Sequence, residues 1–193
     1  MQDVFNWAQI ICDVVFLACL HTLHKDLSNQ RGGVISGHRL EQLNYELERP
    51  IIEPFLRRQE VVHDGITLSY GVGPAGYDIR ADLLAEHGSF IVLGPGSYEL
   101  IGSIERFQMP NFLLAEIADK STWVRLGLTV QNSKAEPGWC GYLTLEIANH
   151  SQKPIKIYHG DPIAHIVFHE IKGHVIPYNG KYQNQPRGPQ KAI

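Results

Sequence analysis

From residue 51 onward, the chain alternates between short apolar runs and breaks that contain glycine or proline. Many short strands at close spacing, with little helix between them, are typical of an antiparallel β-barrel or a jelly-roll sandwich. The pattern therefore predicts a mainly β domain with a few short helices. The predicted strands are Ile51–Phe55, Val61–Tyr70, Tyr77–Ala81, Phe90–Leu93, Tyr98–Phe107, Phe112–Ile117, Gly127–Val130, Tyr142–Ala148, Ile155–Tyr158 and Ile163–Ile171.

Two helical segments are predicted ahead of these strands. Apolar residues recur at helical spacing over 4–27, and the polar, glycine-containing residues 28–33 indicate a linker. Ser36 is placed to cap a second helix, which must end before Pro50 because the residue preceding a proline disfavours helical geometry. The apolar stripe of that second helix is Leu40, Leu43 and Leu47.

The pattern divides the chain into three parts: a helical extension with its linker over 1–33, a β domain over 34–177, and a polar tail over 178–193. The tail cannot pack a core by itself, so it is flexible or becomes ordered over a ligand or a neighbour. The apolar segment 4–20 lacks a basic start and a cleavage site, and Asp13 interrupts it. A buried or partner-packing helix, an upstream extension and a membrane contact all remain open for this segment.

Composition narrows the function classes. The formal net charge is -3, which gives no global attraction to nucleic acid or to an anionic membrane, so neither is expected as a partner. Local cations such as Lys120 and Arg125 still allow a small anionic ligand. The three cysteines have no CxxC spacing and indicate reduced thiols in a cytoplasm.

Three motif matches fail in their context. Residues 71–76 match GxGxxG, but Pro74 and the following strand favour a turn over a dinucleotide site. His169-Glu170 with His174 has the wrong spacing for a zincin helix, and a solvated or interface strand face is favoured over a metal site. Zinc base deaminases need a Pro-Cys-x-x-Cys pair, and the segment 137–140 supplies one cysteine. Any deamination here is therefore expected to proceed without zinc.

After these exclusions, the candidate functional residues are concentrated in the segment Lys120–Asn149. Lys120, Ser121, Thr122 and Arg125 offer the charges and hydroxyls that suit a triphosphate, although these residues taken alone favour a capped short helix with a surface arginine. Further on, alternation places Glu146 on one face of the predicted strand Tyr142–Ala148. A carboxylate in an apolar strand is costly without a role or a partner, yet a solvent-facing position also fits Glu146. That face contains Tyr142, Thr144, Glu146 and Ala148.

Five motifs in matching order resemble the dCTP deaminase branch of the dUTPase-like family. They are AGYDIRA (75–81), KSTWVRLGL (120–128), EPGWCGYLTLEIAN (136–149), GDPIAHIVFHEI (160–171) and KYQNQPRGP (181–189), and SGHRLEQLNYELERPIIEPF (36–55) is similar to the N-terminal helix and strand of that branch. The resemblance covers about residues 36–189 and leaves out 1–33. It implies a distorted β-barrel or jelly roll, assembled as a homotrimer with sites at the subunit boundaries.

The resemblance also implies the chemistry of the site. It implies metal-free hydrolysis of the cytosine 4-amino group, with Glu146 as general acid and base, supported by Arg125 and Ser121, and with Mg²⁺ bound through the triphosphate. The implied triphosphate ligands are Lys120, Ser121, Thr122 and the tail residues Lys181, Tyr182 and Gln185, the tail closing over the site. The implied base and sugar contacts are Asn132, Ser133, Lys134, Ala135, Glu136 and Trp139.

Several residues depart from the family pattern. Lys120 replaces an arginine, Thr122 a serine, Glu136 an aspartate and His165 a glutamine, while bulky Trp123 replaces a small residue. The loop between Leu128 and Pro137 is about two residues shorter than usual, which bears on the base that is accepted.

Deamination of dCTP is favoured because a dUTPase has no need of an acid at Glu146. A dUTP diphosphatase, a bifunctional enzyme yielding dUMP and a non-catalytic nucleotide-binding regulator remain alternatives. The short loop further predicts space for 5-methyl-dCTP, with dTTP as its product.

Overall fold

The computed structural model describes residues 16–17, 33–84 and 86–192. The chain divides into two units, Met1–Gly33 and Val34–Ile193, and the second unit carries the strands. Of the helix predicted over 4–27, residues 16 and 17 are helical and the rest lies outside the described residues. No helix in the described ranges is both long enough and apolar enough to span a bilayer.

A ten-stranded antiparallel sheet, curled on itself, forms most of the second unit, and a two-stranded ribbon accompanies it. The described residues contain twelve strands: β1 (Ile52–Glu53), β2 (Gln59–His63), β3 (Ile66–Gly73), β4 (Gly76–Asp82), β5 (Phe90–Leu93), β6 (Tyr98–Gln108), β7 (Leu113–Asp119), β8 (Leu128–Val130), β9 (Lys134–Ala135), β10 (Cys140–Asn149), β11 (Ile155–Tyr158) and β12 (Pro162–Glu170). The main path of the large sheet runs β8-β10-β6-β4-β12-β7-β9, with β1 paired to β6 and the β2–β3 hairpin joined to β4. The predicted mainly β, antiparallel class is confirmed.

Among the described residues of the second unit, two short helices accompany the strands: α1 (Gly37–Glu46) and α2 (Ser121–Val124). Ser36 caps α1 as predicted, its Oγ accepting from the backbone N–H of Arg39 at 3.2 Å. Helix α1 ends before Pro50, and buried Asn44 ties it to the sheet because its Oδ1 accepts from the N–H of Ile52 at 2.8 Å.

One prediction about strand boundaries is wrong. The run Val61–Tyr70 is two strands, β2 and β3, joined by a tight turn at Asp64-Gly65. Both turn residues have positive φ, 50° and 79°, which suits the right-handed twist of a two-residue hairpin and is the reason for the Asp-Gly pair. The GxGxxG match is the turn of the next hairpin, between β3 and β4, as predicted.

Alternation along the strands separates the core from the site. In β10, Leu145 and Ile147 are fully buried, whereas Thr144 and Glu146 between them are partly exposed on the other face. Three fully buried aromatic rings, those of Tyr77, Phe107 and Phe168, come from β4, β6 and β12 and fill the interior. The face of β10 that was predicted to carry Glu146 is therefore opposite to the face that packs on this core.

Candidate active site

The exposed face of β10 and the facing part of β6 form the floor of a cavity of about 610 Å³, called here the Glu146 cavity. Glu146 pairs with Leu100 and Ala148 with Tyr98 across the two strands. The loop after β8 and the C-terminal residues complete the walls. The lining residues are Tyr98, Leu100, Ile117, Asn132, Ser133, Lys134, Ala135, Glu136, Trp139, Leu143, Thr144, Glu146, Tyr178, Tyr182, Gln185, Gln190 and Ala192.

All six residues predicted to contact base and sugar line this cavity together with Glu146. The sequence missed several of its walls, notably Tyr98, Tyr178 and Gln190. Tyr98 could have been found from strand pairing, because its partner Ala148 lies on the Glu146 face. No local pattern marks Gln190.

The main chain around Glu146 is held by the side chain of Asn132. The Asn132 Oδ1 accepts from the N–H of Glu146 at 3.2 Å, and its Nδ2 donates to the carbonyl of Thr144 at 2.6 Å. Just before it, the N–H of Gln131 donates to the carbonyl of Glu146 at 2.8 Å. The Asn132 side chain thus takes the place of a strand partner beyond the end of β8. It satisfies the backbone groups of Thr144 and Glu146 at the point where the short loop leaves the sheet.

The tail forms one wall of the Glu146 cavity. Trp139 Nε1 donates to the carbonyl of Tyr182 at 2.8 Å, and Gln185 Nε2 donates to Thr144 Oγ1 at 2.6 Å. Lys181 lies at the surface with its Nζ 5.0 Å from the centroid of the Tyr182 ring and does not line the cavity. Two of the three predicted tail ligands, Tyr182 and Gln185, therefore line the same cavity as Glu146.

Electrostatics at the floor favour a neutral phenol beside the acid. Partial burial and the carboxylates of Glu146 and Glu99 raise the pKa of Tyr98. Tyr98 therefore remains a hydrogen-bond donor at neutral pH. Lys134 brings the opposite charge to the wall of the same cavity.

Three further predicted residues, Ser121, Thr122 and Arg125, line a second, smaller cavity of about 310 Å³, called here the Arg125 cavity. Its lining is Ile66, Ser121, Thr122, Arg125 and Leu126. Within one chain, the hydroxyls and the arginine thus lie in a different cavity from Glu146.

Trp123 explains how the α2 turn tolerates a bulky residue. Its side chain is buried at 3% exposure, and its Nε1 donates to the carbonyl of Pro162 at 2.6 Å. The ring therefore anchors α2 to the start of β12, while Ser121, Thr122 and Arg125 face the Arg125 cavity.

Lys120, predicted as a triphosphate ligand, lines neither cavity. It is 8% exposed, and its Nζ lies 2.7 Å from Asp78 Oδ2 and 3.3 Å from Ser69 Oγ. In this chain its ammonium group is thus engaged by a buried carboxylate at the entry to α2.

His165 completes this ion cluster. Its Nδ1 lies 2.8 Å from Asp78 Oδ1 and its Nε2 lies 3.2 Å from the carbonyl of Ala75, so both ring nitrogens face acceptors and an imidazolium satisfies both. The hydrogen bond to Asp78 raises the pKa of His165. Burial raises the pKa of Asp78, but the hydrogen bonds from His165 and Lys120 outweigh it and leave that pKa lowered.

The substitution His165→Gln should flatten the pH dependence of stability. Because the folded pKa of His165 is raised, its contribution is complete below the unfolded value of about 6.5 and is lost as the pH rises through the folded value. The variant should lose about 1–2 kcal/mol of unfolding free energy near pH 6 and less near pH 8.5, as expected for a charged hydrogen bond. Denaturant unfolding at both pH values measures this, and an equal loss at both would contradict the imidazolium assignment.

Within the described residues, no group of three or more His, Cys, Asp or Glu side chains is arranged to hold a metal ion. His174 of the zincin-like match lies beyond the end of β12, and His169 Nε2 is 3.6 Å from Glu116 Oε2.

The curled antiparallel sheet has a counterpart among solved structures. A solved 2′-deoxycytidine 5′-triphosphate deaminase from Agrobacterium tumefaciens aligns with a TM-score of 0.53 at 18% identity, covering 72% of this chain and 48% of that chain. At this identity the likeness concerns the fold alone.

Sequence comparison is more specific. Residues 78–171 match the dCTP deaminase-like family model. The dCTP deaminase of Protochlamydia amoebophila is 34% identical over 167 residues, covering 72% of this chain and 89% of the relative. That of Pseudomonas putida is 33% identical over 166 residues, covering 72% and 88%. The chain therefore belongs to the dCTP deaminase family.

Proposed function

We propose that the protein hydrolyses dCTP to dUTP and ammonia in the cytoplasm, with Glu146 as general base and then general acid. The observation that carries this proposal is the position of Glu146. Its carboxylate lies on the floor of a cavity whose walls are the residues expected to hold the base and sugar. The relatives named dCTP deaminase support the choice of substrate.

In the proposed reaction, the Glu146 carboxylate takes a proton from water while the water oxygen bonds to C4 of cytosine. The electron pair of the C4–N3 double bond moves to N3, which takes that proton from Glu146. The Glu146 carboxylate then takes the proton of the new C4 hydroxyl and delivers it to the 4-amino group, so the C4–N bond breaks and ammonia leaves as the C4 carbonyl forms. One water is consumed and one ammonia released, and the carboxylate is regenerated.

The separate cavities support a site shared between subunits. Ser121 and Arg125 would meet the Glu146 cavity of a neighbouring copy, because within one chain they line a cavity of their own. Closed homo-oligomers place such complementary surfaces together, and we propose a homotrimer. A mass of 21.7 kDa by light scattering, that of one chain, would contradict this assembly.

The metal in this scheme arrives with the nucleotide. Mg²⁺ binds phosphate oxygens and waters and requires few protein ligands, so the lack of a carboxylate cage among the described residues is compatible with it. When bound, Mg²⁺ neutralises triphosphate charge. We propose that zinc is not used, because the sequence lacks the second cysteine of the zinc-deaminase donor set.

Glu136 provides the argument for a second activity. Its side chain belongs to the lining of the Glu146 cavity. A carboxylate at this turn could activate water toward the α-phosphorus, in which case dCTP would end as dUMP and pyrophosphate. A bifunctional enzyme is therefore the second candidate.

A product assay with dCTP, dUTP and 5-methyl-dCTP separates these candidates. We expect dUTP and ammonia from dCTP, and from 5-methyl-dCTP we expect dTTP at a kcat/KM within about tenfold of that for dCTP, since one methyl group changes discrimination only modestly. The appearance of dUMP and pyrophosphate would establish the bifunctional alternative. Binding without any product would favour a regulatory protein, and strong rejection of the methylated substrate would contradict the open base pocket.

A further inference from the structure

Residues 185–190 of the tail lie across three neighbouring strands. Gly102 of β6 pairs with Thr144 of β10 on one side and with Asp82 of β4 on the other. These three residues form a row perpendicular to the strands, called here the cross-strand row. It begins two residues from Glu146 on the same face of β10.

Each position of the cross-strand row meets the tail. Thr144 Oγ1 accepts from Gln185 Nε2 at 2.6 Å and from the N–H of Gln190 at 2.9 Å, which uses both acceptor positions of the hydroxyl. A Cβ on Gly102 would lie 3.2 Å from the Cα of Gly188, so the missing side chain makes room for the tail to pass.

The third position is an ion pair with a buried carboxylate. Arg187 Nε lies 2.5 Å from Asp82 Oδ2, and the Asp82 side chain is 2% exposed. His159 Nδ1 lies 3.5 Å from Asp82 Oδ1, but it accepts from the N–H of Leu83 at 3.2 Å and so has no proton on that nitrogen. Among the described residues, Arg187 is thus the cationic side chain that pairs with Asp82. Leaving a buried carboxylate without its partner is costly, which favours the docked tail.

The docked segment continues directly into the cavity wall. The N–H of Tyr142 donates to the carbonyl of Gln185 at 3.1 Å, and the N–H of Cys140 donates to Gln183 Oε1 at 2.9 Å. Gly141, between these two residues, has a φ of 143°, and a Cβ there would lie 2.6 Å from the nitrogen of Gln185. The tail therefore fits β10 closely along the edge of the Glu146 cavity.

We propose that the cross-strand row is a docking site for the chain's own tail, and that Asp82 and Thr144 are positioning residues that set one wall of the substrate cavity. This inference rests on the proposed function for its kinetic consequence. The docking itself depends only on the contacts of the row.

Hydrogen exchange of the peptide 183–192 tests the docking without requiring turnover. Arg187→Gln and Thr144→Val should each make this peptide exchange at least about fivefold faster, since each removes contacts worth about that factor. Thr144→Ser keeps the acceptor oxygen and should remain near wild type, as should the matched control Arg58→Gln, whose exposed arginine lines neither cavity. Because the Arg187 side chain is 55% exposed, its variant should fold normally.

Kinetics provide the second readout. In both Arg187→Gln and Thr144→Val, KM for dCTP should rise about five- to tenfold while kcat stays within about threefold, whereas Thr144→Ser should keep KM near wild type. Unchanged exchange in Arg187→Gln and Thr144→Val would overturn the docking site, even in an active enzyme. Faster exchange with unchanged KM would overturn the positioning role. A wild-type protein that does not deaminate dCTP contradicts the proposed function, while the exchange result still decides the docking.

Discussion

Glu146→Gln is expected to lower kcat for dCTP deamination by about 10²–10⁴-fold, the range that a positioned general acid and base contributes. Glutamine has the shape of glutamate but cannot take a proton from water. Triphosphate binding should be largely spared, because Asn132 and Gln131 hold this position through main-chain atoms that the substitution leaves in place.

The matched control for this variant is Glu99→Gln. Glu99 lies on the neighbouring strand β6, pairs with buried Ile147 and does not line the Glu146 cavity. Steady-state kinetics and equilibrium nucleotide binding on both variants separate a chemical role from general damage. Activity of Glu146→Gln within a few fold of wild type would reject its assignment as the proton-transferring group.

Arg80→Ala is expected to give the largest loss of stability, about 3–5 kcal/mol of unfolding free energy, as is typical when one member of a buried ion pair is removed. Glu105 is fully buried and accepts from both Arg80 Nε at 2.7 Å and the N–H of Arg80 at 2.9 Å. Without the guanidinium, a carboxylate in the core would lack its cation.

The pH dependence of this loss provides an independent check. Burial raises the pKa of Glu105 even though Arg80 opposes the change, and removal of Arg80 should raise it further. The folded variant then binds a proton that the unfolded chain releases, so its stability should improve as the pH falls from about 8 to about 5. Denaturant unfolding measures both effects. The control Arg57→Ala removes an exposed partner of Glu41 and should change stability much less; equal losses would contradict the buried-pair account.

Local pattern was sufficient for much of the fold. Alternation in β10 separates Leu145 and Ile147 from Glu146, and Ser36 with Pro50 brackets α1, because both signals depend on neighbours in the chain. The Asp64-Gly65 turn was missed although Asp-Gly is a hairpin signal, since the apolar residues on either side merge into one apparent run.

The arrangement of the site depended on distant pairings that no local pattern contains. Lys120 resembles a phosphate ligand in sequence, but Asp78, which lies 42 residues earlier, engages its ammonium group. Asn132, predicted to contact the base or sugar, lines the cavity, and its amide also bonds to the β10 backbone, which no local pattern indicates. Likewise, no local pattern shows that Arg125 and Glu146 line different cavities within one chain.

Transfer of oxygen from water to the base is the most direct test of the proposed chemistry. The protein would be incubated with dCTP and Mg²⁺ in water labelled with heavy oxygen, and the products resolved by mass spectrometry. Hydrolytic deamination predicts one labelled oxygen on the uracil ring of dUTP, unlabelled phosphates and an equal amount of ammonia. Label in the phosphates with an unchanged cytosine ring, or no labelled product at all, would contradict the account.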